Sequence, residues 1–175
     1  DGVLGRVDYG GSEALSGADL AVPLAVLPAP ALVPSFWLAE APLQSGVFED
    51  CRYRSSEHLL FGAICLKEAD FAASAGLSSL QQASRAAYDQ TLAVLAQTGF
   101  SRLVRCWNYI PAINQESGGL ERYRQFNIGR QDAFLASGRS CTDNLPAASA
   151  LGTVDGALYL YFLAARVAPQ AIENP

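Results

Sequence analysis

Tyr123, Asn127, Arg130 and Phe134 follow one another at steps of four, three and four. A helix through RYRQFNIGRQDAF, residues 122 to 134, therefore carries all four on one face. Three polar groups occupy a stripe where an amphipathic helix would bury apolar ones. Tyr123 and Arg130 are seven residues apart, which sets their Cα atoms about 10 Å apart along the axis, and long side chains can still converge across that span. The chemistry this permits is capture of a carboxylate: Arg130 forks onto the anion, Tyr123 donates to the same or a second acceptor, and Asn127 sits between them. The plainer reading is a polar face that meets water, with Glu121, Arg122 and Arg124 as solvent charges. Gly129 bears on the choice, because a glycine inside a helix costs roughly 1 kcal/mol against alanine and is usually kept for close approach of a backbone or a ligand.

The remaining reactive residue types form weaker patterns. His58 is the single histidine and borders an apolar run; a strand-end imidazole with a satisfied hydrogen bond is favoured over a general base. Cys51, Cys65, Cys106 and Cys141 stand far apart, with no C-x-x-C pair and no histidine close in sequence, so a structural zinc site is not expected. They read as reduced thiols of a cytoplasmic protein, filler rather than nucleophiles, since no charged cluster lies beside any of them. No G-x-G-x-x-G or P-loop pattern occurs, and Ser149 lies in no G-x-S-x-G frame. Trp107, Tyr109, Tyr159, Tyr161 and Phe162 are expected in the core rather than as a stacking platform.

Composition narrows the partners. The chain has 175 residues, half of them hydrophobic, enough for one domain with a real core. A formal charge of -5 with a pI near 4.8 argues against nucleic acid but leaves room for a small anion held in a local positive pocket. The apolar run over residues 18 to 34 is broken by Pro23, Pro28, Pro30 and Pro34, so it reads as edge strand or polyproline connection, with no membrane span and no signal peptide. The chain contains no methionine and is expected to be a piece of something longer.

The elements that must position the stripe can be placed in order. Residues 1–57, rich in Gly and Pro, are expected to give strands and turns, with apolar bursts at residues 21 to 27 and 35 to 38, and to belong to the same domain as a core over 58–175. HLLFGAICL, residues 58 to 66, reads as a strand buried on both sides. Ser78 or Ser79 caps a helix that carries Leu80, Ala83, Ala87, Thr91, Val94 and Leu95 on one side and stops at Gly99. In RLVRCWNYI, residues 102 to 110, Leu103, Arg105, Trp107 and Tyr109 face one way and Val104, Cys106, Asn108 and Ile110 the other, with Pro111 ending the strand. A second helix runs over residues 120 to 136 and stops at Gly138. Residues 145 to 166 then give two strands with a turn at Asp155-Gly156. The class is α+β, two long helices packed on one face of a mixed sheet.

With that order in place, two resemblances emerge. Strand, long helix, strand, second helix, then LPAASALGTVDGALYLYF resembles the RidA/YjgF-like (chorismate-mutase-like) fold, whose members end with a Pro-Ala-x-Ser turn and a small-residue strand pair. The imine deaminases of that fold carry an arginine in this turn, whereas Pro146-Ala147-Ala148-Ser149 has Ala148 there. A deaminase would need a substitute, for which Arg105 is the local candidate. More specifically, RCWNYIPAIN, GLERYRQFNIGRQDAF, LPAASALGT and the closing AIENP resemble the N-terminal half of the chorismatases, which hydrolyse chorismate and include the 3- and 4-hydroxybenzoate synthase type, some labelled pteridine-dependent deoxygenase-like.

The resemblance implies a two-half enzyme in which both halves line the pocket. It implies that Tyr123 and Arg130 bind the substrate dicarboxylate, with Asn127 in a weaker role. It also implies that the catalytic acid lies in a C-terminal half beyond Pro175, so that this chain carries no catalytic residue and is inactive alone. The partners are then chorismate and that half, and no cofactor or metal is needed. A rival reading is a non-catalytic RidA-like interaction domain that pairs through its sheet edges, which the mass in solution would reveal.

Overall fold

The computed structural model describes residues 2–10, 17–24, 33–72, 76–139, 145–153 and 156–170. Three layers stack in it. The middle layer is a six-stranded sheet of β4 (Gln44–Phe48), β5 (Cys51–Ser55), β6 (Leu59–Leu66), β7 (Arg102–Pro111), β10 (Ala147–Thr153) and β11 (Leu158–Ala165), in the order β10-β7-β11-β6-β5-β4. The β10–β7 pair is parallel and the other pairs are antiparallel, so the sheet is mixed. Two helices, α1 (Ser79–Thr98) and α2 (Arg122–Ala136), lie on one face.

The other face holds what the sequence did not disclose. A three-stranded sheet of β1 (Val3–Tyr9), β2 (Leu20–Val22) and β3 (Val33–Leu38), ordered β2-β1-β3, packs there through Leu4, Val7, Leu20 and Val22 onto Phe61, Ala63, Tyr109 and Tyr161. The two-sided burial of β6 follows: Leu60, Ile64 and Leu66 meet the helices, while Phe61 and Ala63 meet the small sheet. Phenols tie the layers, with Tyr9 Oη 2.7 Å from Tyr161 Oη and Tyr109 donating to Tyr9 at 3.2 Å. The guanidinium of Arg54 adds a 2.8 Å ion pair to Asp19.

The helix ends follow local rules. Ser78 accepts the Gln81 N–H at 3.1 Å as N-cap of α1, and Gly99 closes that helix at φ 72°. Helix α2 has no side-chain cap. Its first N–H groups, on Arg122 and Tyr123, instead donate to the Gln115 and Ile113 carbonyls of the loop before it. At its far end Gly138 (φ 69°) and Arg139 donate to the carbonyls of Leu135 and Phe134, the paired pattern of a Schellman stop.

Several expectations need correction. Pro146-Ala147-Ala148-Ser149 is no turn: Ala147 opens β10. The last two strands do not pair with each other either, since β10 and β11 flank β7 on opposite sides. Of the turn expected at Asp155-Gly156, Asp155 lies outside the described residues. The alternation in β7 breaks where its register with β11 shifts, at Leu163/Ala164. Beyond that irregularity Leu103 joins Cys106 and Ile110 on the helix side, away from Trp107 and Tyr109. Between α2 and β7, residues 116–117 and 120–121 form a small ladder, β8 and β9, which shortens the helix expected from 120.

A candidate anion seat beneath helix α2

Helix α2 divides its faces sharply. Phe126, Gly129 and Ala133 turn toward α1, and Gly129 settles one question raised by the sequence: a Cβ there would collide with the Gln81 carbonyl and come within 3.0 Å of the Arg85 nitrogen. The close approach is to backbone, not to a ligand. One step around the helix, Arg130 lays its guanidinium carbon 5.5 Å from the Tyr88 ring centroid and 5.7 Å from that of Phe134. Among the described residues it donates no hydrogen bond and makes no ion pair.

A cavity of about 160 Å³ opens beside it, lined by Asn127, Arg130, Gln131, Phe134 and Leu145. Among the described residues no acidic side chain lines it. A half-buried guanidinium resting on two rings, facing a cavity with no carboxylate among its described lining residues, has the chemistry to accept an anion, and its planar donors suit a carboxylate. The structure thus brings Asn127 and Arg130 together. Tyr123 stands apart: its side chain is 40% exposed and does not line the cavity. Two larger grooves, about 710 and about 1080 Å³, contain none of these three residues.

Under the seat lies a buried polar chain. The Tyr88 hydroxyl donates to Asn108 Oδ1 at 2.9 Å, and Asn108 Nδ2 donates to the Ser149 carbonyl of β10 at 2.9 Å. Tyr88 and Asn108 are both buried. Burial holds the Tyr88 phenol neutral, its pKa well above the usual range. The neighbouring Cys106 thiol is pushed up to about 12 by burial, against the opposing pull of Arg130. Tyr88 escaped the sequence reading because it sits at the margin of the apolar stripe of α1, one residue after Ala87. The available signal was a large phenol in a row of alanines.

The other candidates lie elsewhere. His58 is exposed in the turn between β5 and β6, with Nε2 4.0 Å from Glu57. Cys51, Cys65 and Cys106 are free thiols, the first and last buried, and Cys141 lies outside the described residues. Arg105 stacks over Trp107 at 5.0 Å on the face away from α2. Arg122 corrects the sequence reading: far from being a solvent charge, it is 14% exposed, pairs with Glu68 and donates to the Pro111 carbonyl at 2.8 Å. Glu121 and Arg124 keep the surface role, 3.8 Å apart. Among the described residues no group of three or more His, Cys, Asp or Glu is placed to hold a metal, and no helix is long and apolar enough to cross a membrane.

Comparison with known proteins points in one direction. The family model described as chorismatase FkbO/Hyg5-like, N-terminal, matches residues 35–164. A chorismatase of Streptomyces rapamycinicus is 32% identical over 141 residues, 79% of this chain and 40% of that protein. A 3-hydroxybenzoate synthase of Streptomyces hygroscopicus is 40% identical over 96 residues, 54% of this chain and 28% of that protein. A chorismatase crystal structure superposes with a TM-score of 0.81 at 28% identity, covering 96% of this chain and 50% of that one. The chain therefore spans half or less of the length of the relatives it matches.

Proposed function

This chain belongs to the chorismatase FkbO/Hyg5-like N-terminal family, and from that premise we propose that it is the N-terminal domain of an enzyme that releases the enolpyruvyl group of chorismate as pyruvate. The observation that carries the reading is Arg130, a guanidinium stacked on two rings with no acceptor among the described residues, beside a cavity lined by Asn127. Chorismate has two carboxylates, and Arg130 is the seat for one of them. A cavity of about 160 Å³ is below the roughly 300–1,000 Å³ usual for small-molecule sites, so it holds one arm of the substrate. The rest, with Tyr123 at its rim, would be enclosed by a C-terminal half.

In the proposed chemistry an acid supplied by that half protonates the terminal methylene of the enolpyruvyl ether. The resulting oxocarbenium ion takes up water and the hemiketal collapses to pyruvate and a dihydroxycyclohexadiene carboxylate. Loss of pyruvate without net uptake of water gives a hydroxybenzoate instead, and the relative named 3-hydroxybenzoate synthase supports that product. We place the seat in one domain that includes residues 1–57, because β4 and β5 extend the main sheet and β1, β2 and β3 cover its second face. The two helices on one face of a mixed sheet support the RidA/YjgF-like reading, and the free thiols support a cytoplasmic location.

The test is pyruvate release from chorismate, coupled to lactate dehydrogenase, by this chain alone and by a polypeptide extended to the length of the relatives. Release by the extended form alone is expected. A folded extended protein that releases none would leave the rival reading, a module that associates through its sheet edge. What favours that rival is β10, an edge strand whose sequence AASALGT is uncharged.

A further inference from the structure

A buried tyrosine, a buried asparagine and a strand carbonyl in one hydrogen-bonded chain make an unusual core for a helix–sheet interface. Buried polar groups persist when each is satisfied, and this chain satisfies its members in sequence: Ser149 carbonyl, Asn108 amide, Tyr88 phenol. Its far end is the Tyr88 ring, on which the Arg130 guanidinium rests. Phe134 supports the same guanidinium but is itself held only by packing. An arginine with no hydrogen-bond acceptor among the described residues takes its orientation from the rings it touches, and of those two rings only Tyr88 is pinned through its polar end.

We propose that Tyr88 is a positioning residue for the candidate anion seat: pinned by Asn108 to the backbone of β10, its ring fixes the plane of the Arg130 guanidinium so that the donors open into the cavity beside Asn127. The device links the edge strand β10 to the seat across β7. It rests on the reading of Arg130 as a carboxylate seat. The gain is pre-organisation, since a guanidinium already held in its binding plane loses less freedom when the carboxylate arrives.

The test uses the whole chain, labelled with ¹⁵N, with chorismate as the probe ligand. In the unliganded protein the Arg130 Nε–H signal is expected to be displaced by the ring currents of Tyr88 and Phe134, and Arg130→Ala assigns it. Tyr88→Leu removes the ring and should move the signal toward that of a free arginine; Tyr88→Phe keeps the ring, loses the pin and should broaden it. In titrations followed by the same spectra, Tyr88→Leu should raise the chorismate Kd about threefold, the scale of one exposed cation–π contact. Neither Tyr88 variant should weaken binding further in an Arg130→Ala background. Spectra of the remaining amides establish that each variant is folded, and Tyr88→Phe serves if Tyr88→Leu is not. An Nε–H signal unmoved in both variants would overturn the proposal. So would Tyr88 effects of equal size with and without Arg130. If Arg130→Ala alone leaves chorismate binding unchanged, the carboxylate reading fails, while the unliganded Nε–H signal still decides whether Tyr88 positions the arginine.

Discussion

Gly129 of α2 lies against the Gln81 carbonyl of α1 with no room for a side chain between them. Two effects compete in Gly129→Ala. Alanine gains about 1 kcal/mol of helix propensity, but its methyl meets backbone on a helix that cannot yield at one point alone, and overpacking of that kind costs about 1–3 kcal/mol or more. The second wins, because the opposing atoms include the Gln81 carbonyl group and the Arg85 nitrogen rather than the tip of a flexible side chain. Gly129→Ala should lower stability by about 1–2 kcal/mol net, read as a lower urea midpoint. An unchanged midpoint would show that the helices can part without loss.

Arg122 and Glu68 form a part-buried pair at 14% and 21% side-chain exposure, and the arginine also satisfies the Pro111 carbonyl. Removing one partner leaves the other charge poorly solvated. Arg122→Ala should therefore cost about 2 kcal/mol. Glu68→Gln, which keeps an acceptor for the guanidinium, should cost less than half of that. A surface pair such as Arg124–Glu121 supplies the control: its loss should fall within about 0.5 kcal/mol. Equal effects at the two pairs would remove the distinction drawn between them.

These two contacts also mark where the sequence was legible. Elements governed by neighbours a few residues away could be read: the Ser78 cap, the Gly99 and Gly138 stops, and the stripe of α1 are local matters. So was the amphipathic conflict on α2 that singled out Arg130. Arg122 was misjudged because its partner is 54 residues away and no helical period reports on that. The pairing of β1, β2 and β3 was equally opaque: the apolar bursts at residues 21 to 27 and 35 to 38 overlap β2 and β3, but their register with β1 depends on partners distant in sequence. The same holds for β10, where an uncharged run of small residues gives no hint of a parallel partner. Tyr88 and Asn108 belong to this class, two buried polar groups whose meeting only the packed structure reveals.

Stability should fall in alkali. Burial pushes the Cys51 thiol up to about 12, with the Asp50 charge adding to it, and burial does the same for Cys106. In the unfolded chain both titrate near 9. Between those values the folded state keeps protons that the unfolded state has lost, so the stabilisation is complete below pH 9 and declines as pH rises toward 12. Each thiol should remove about 1.4 kcal/mol per pH unit within that window. The phenols of Tyr88, Tyr109 and Tyr161, raised chiefly by burial, steepen the decline further up. Urea unfolding at pH 7.5, 9.0 and 10.5 would measure it, and a Cys51→Ala/Cys106→Ala double variant should give a shallower slope. A slope equal to that of the parent would mean the thiols deprotonate without unfolding.

Tyr123 and Arg130 share a helix face yet differ in setting, and the difference predicts a switch in their importance. Arg130 lines the cavity and, on the proposed function, would meet the ligand in this chain alone; Tyr123 is 40% exposed and outside it. In the isolated chain, Arg130→Ala should raise the chorismate Kd about tenfold, the modest end of what a desolvated charge pair contributes. Tyr123→Phe should leave it unchanged, because a phenol in water loses one hydration partner and gains another. In a polypeptide extended to the length of the relatives, a covering half would desolvate Tyr123. There Tyr123→Phe should raise KM several-fold, as loss of a hydrogen bond worth about 1 kcal/mol implies. A Tyr123→Phe effect already present in the isolated chain would place the tyrosine at the seat without any cover. Its absence from the extended protein would take Tyr123 out of the site.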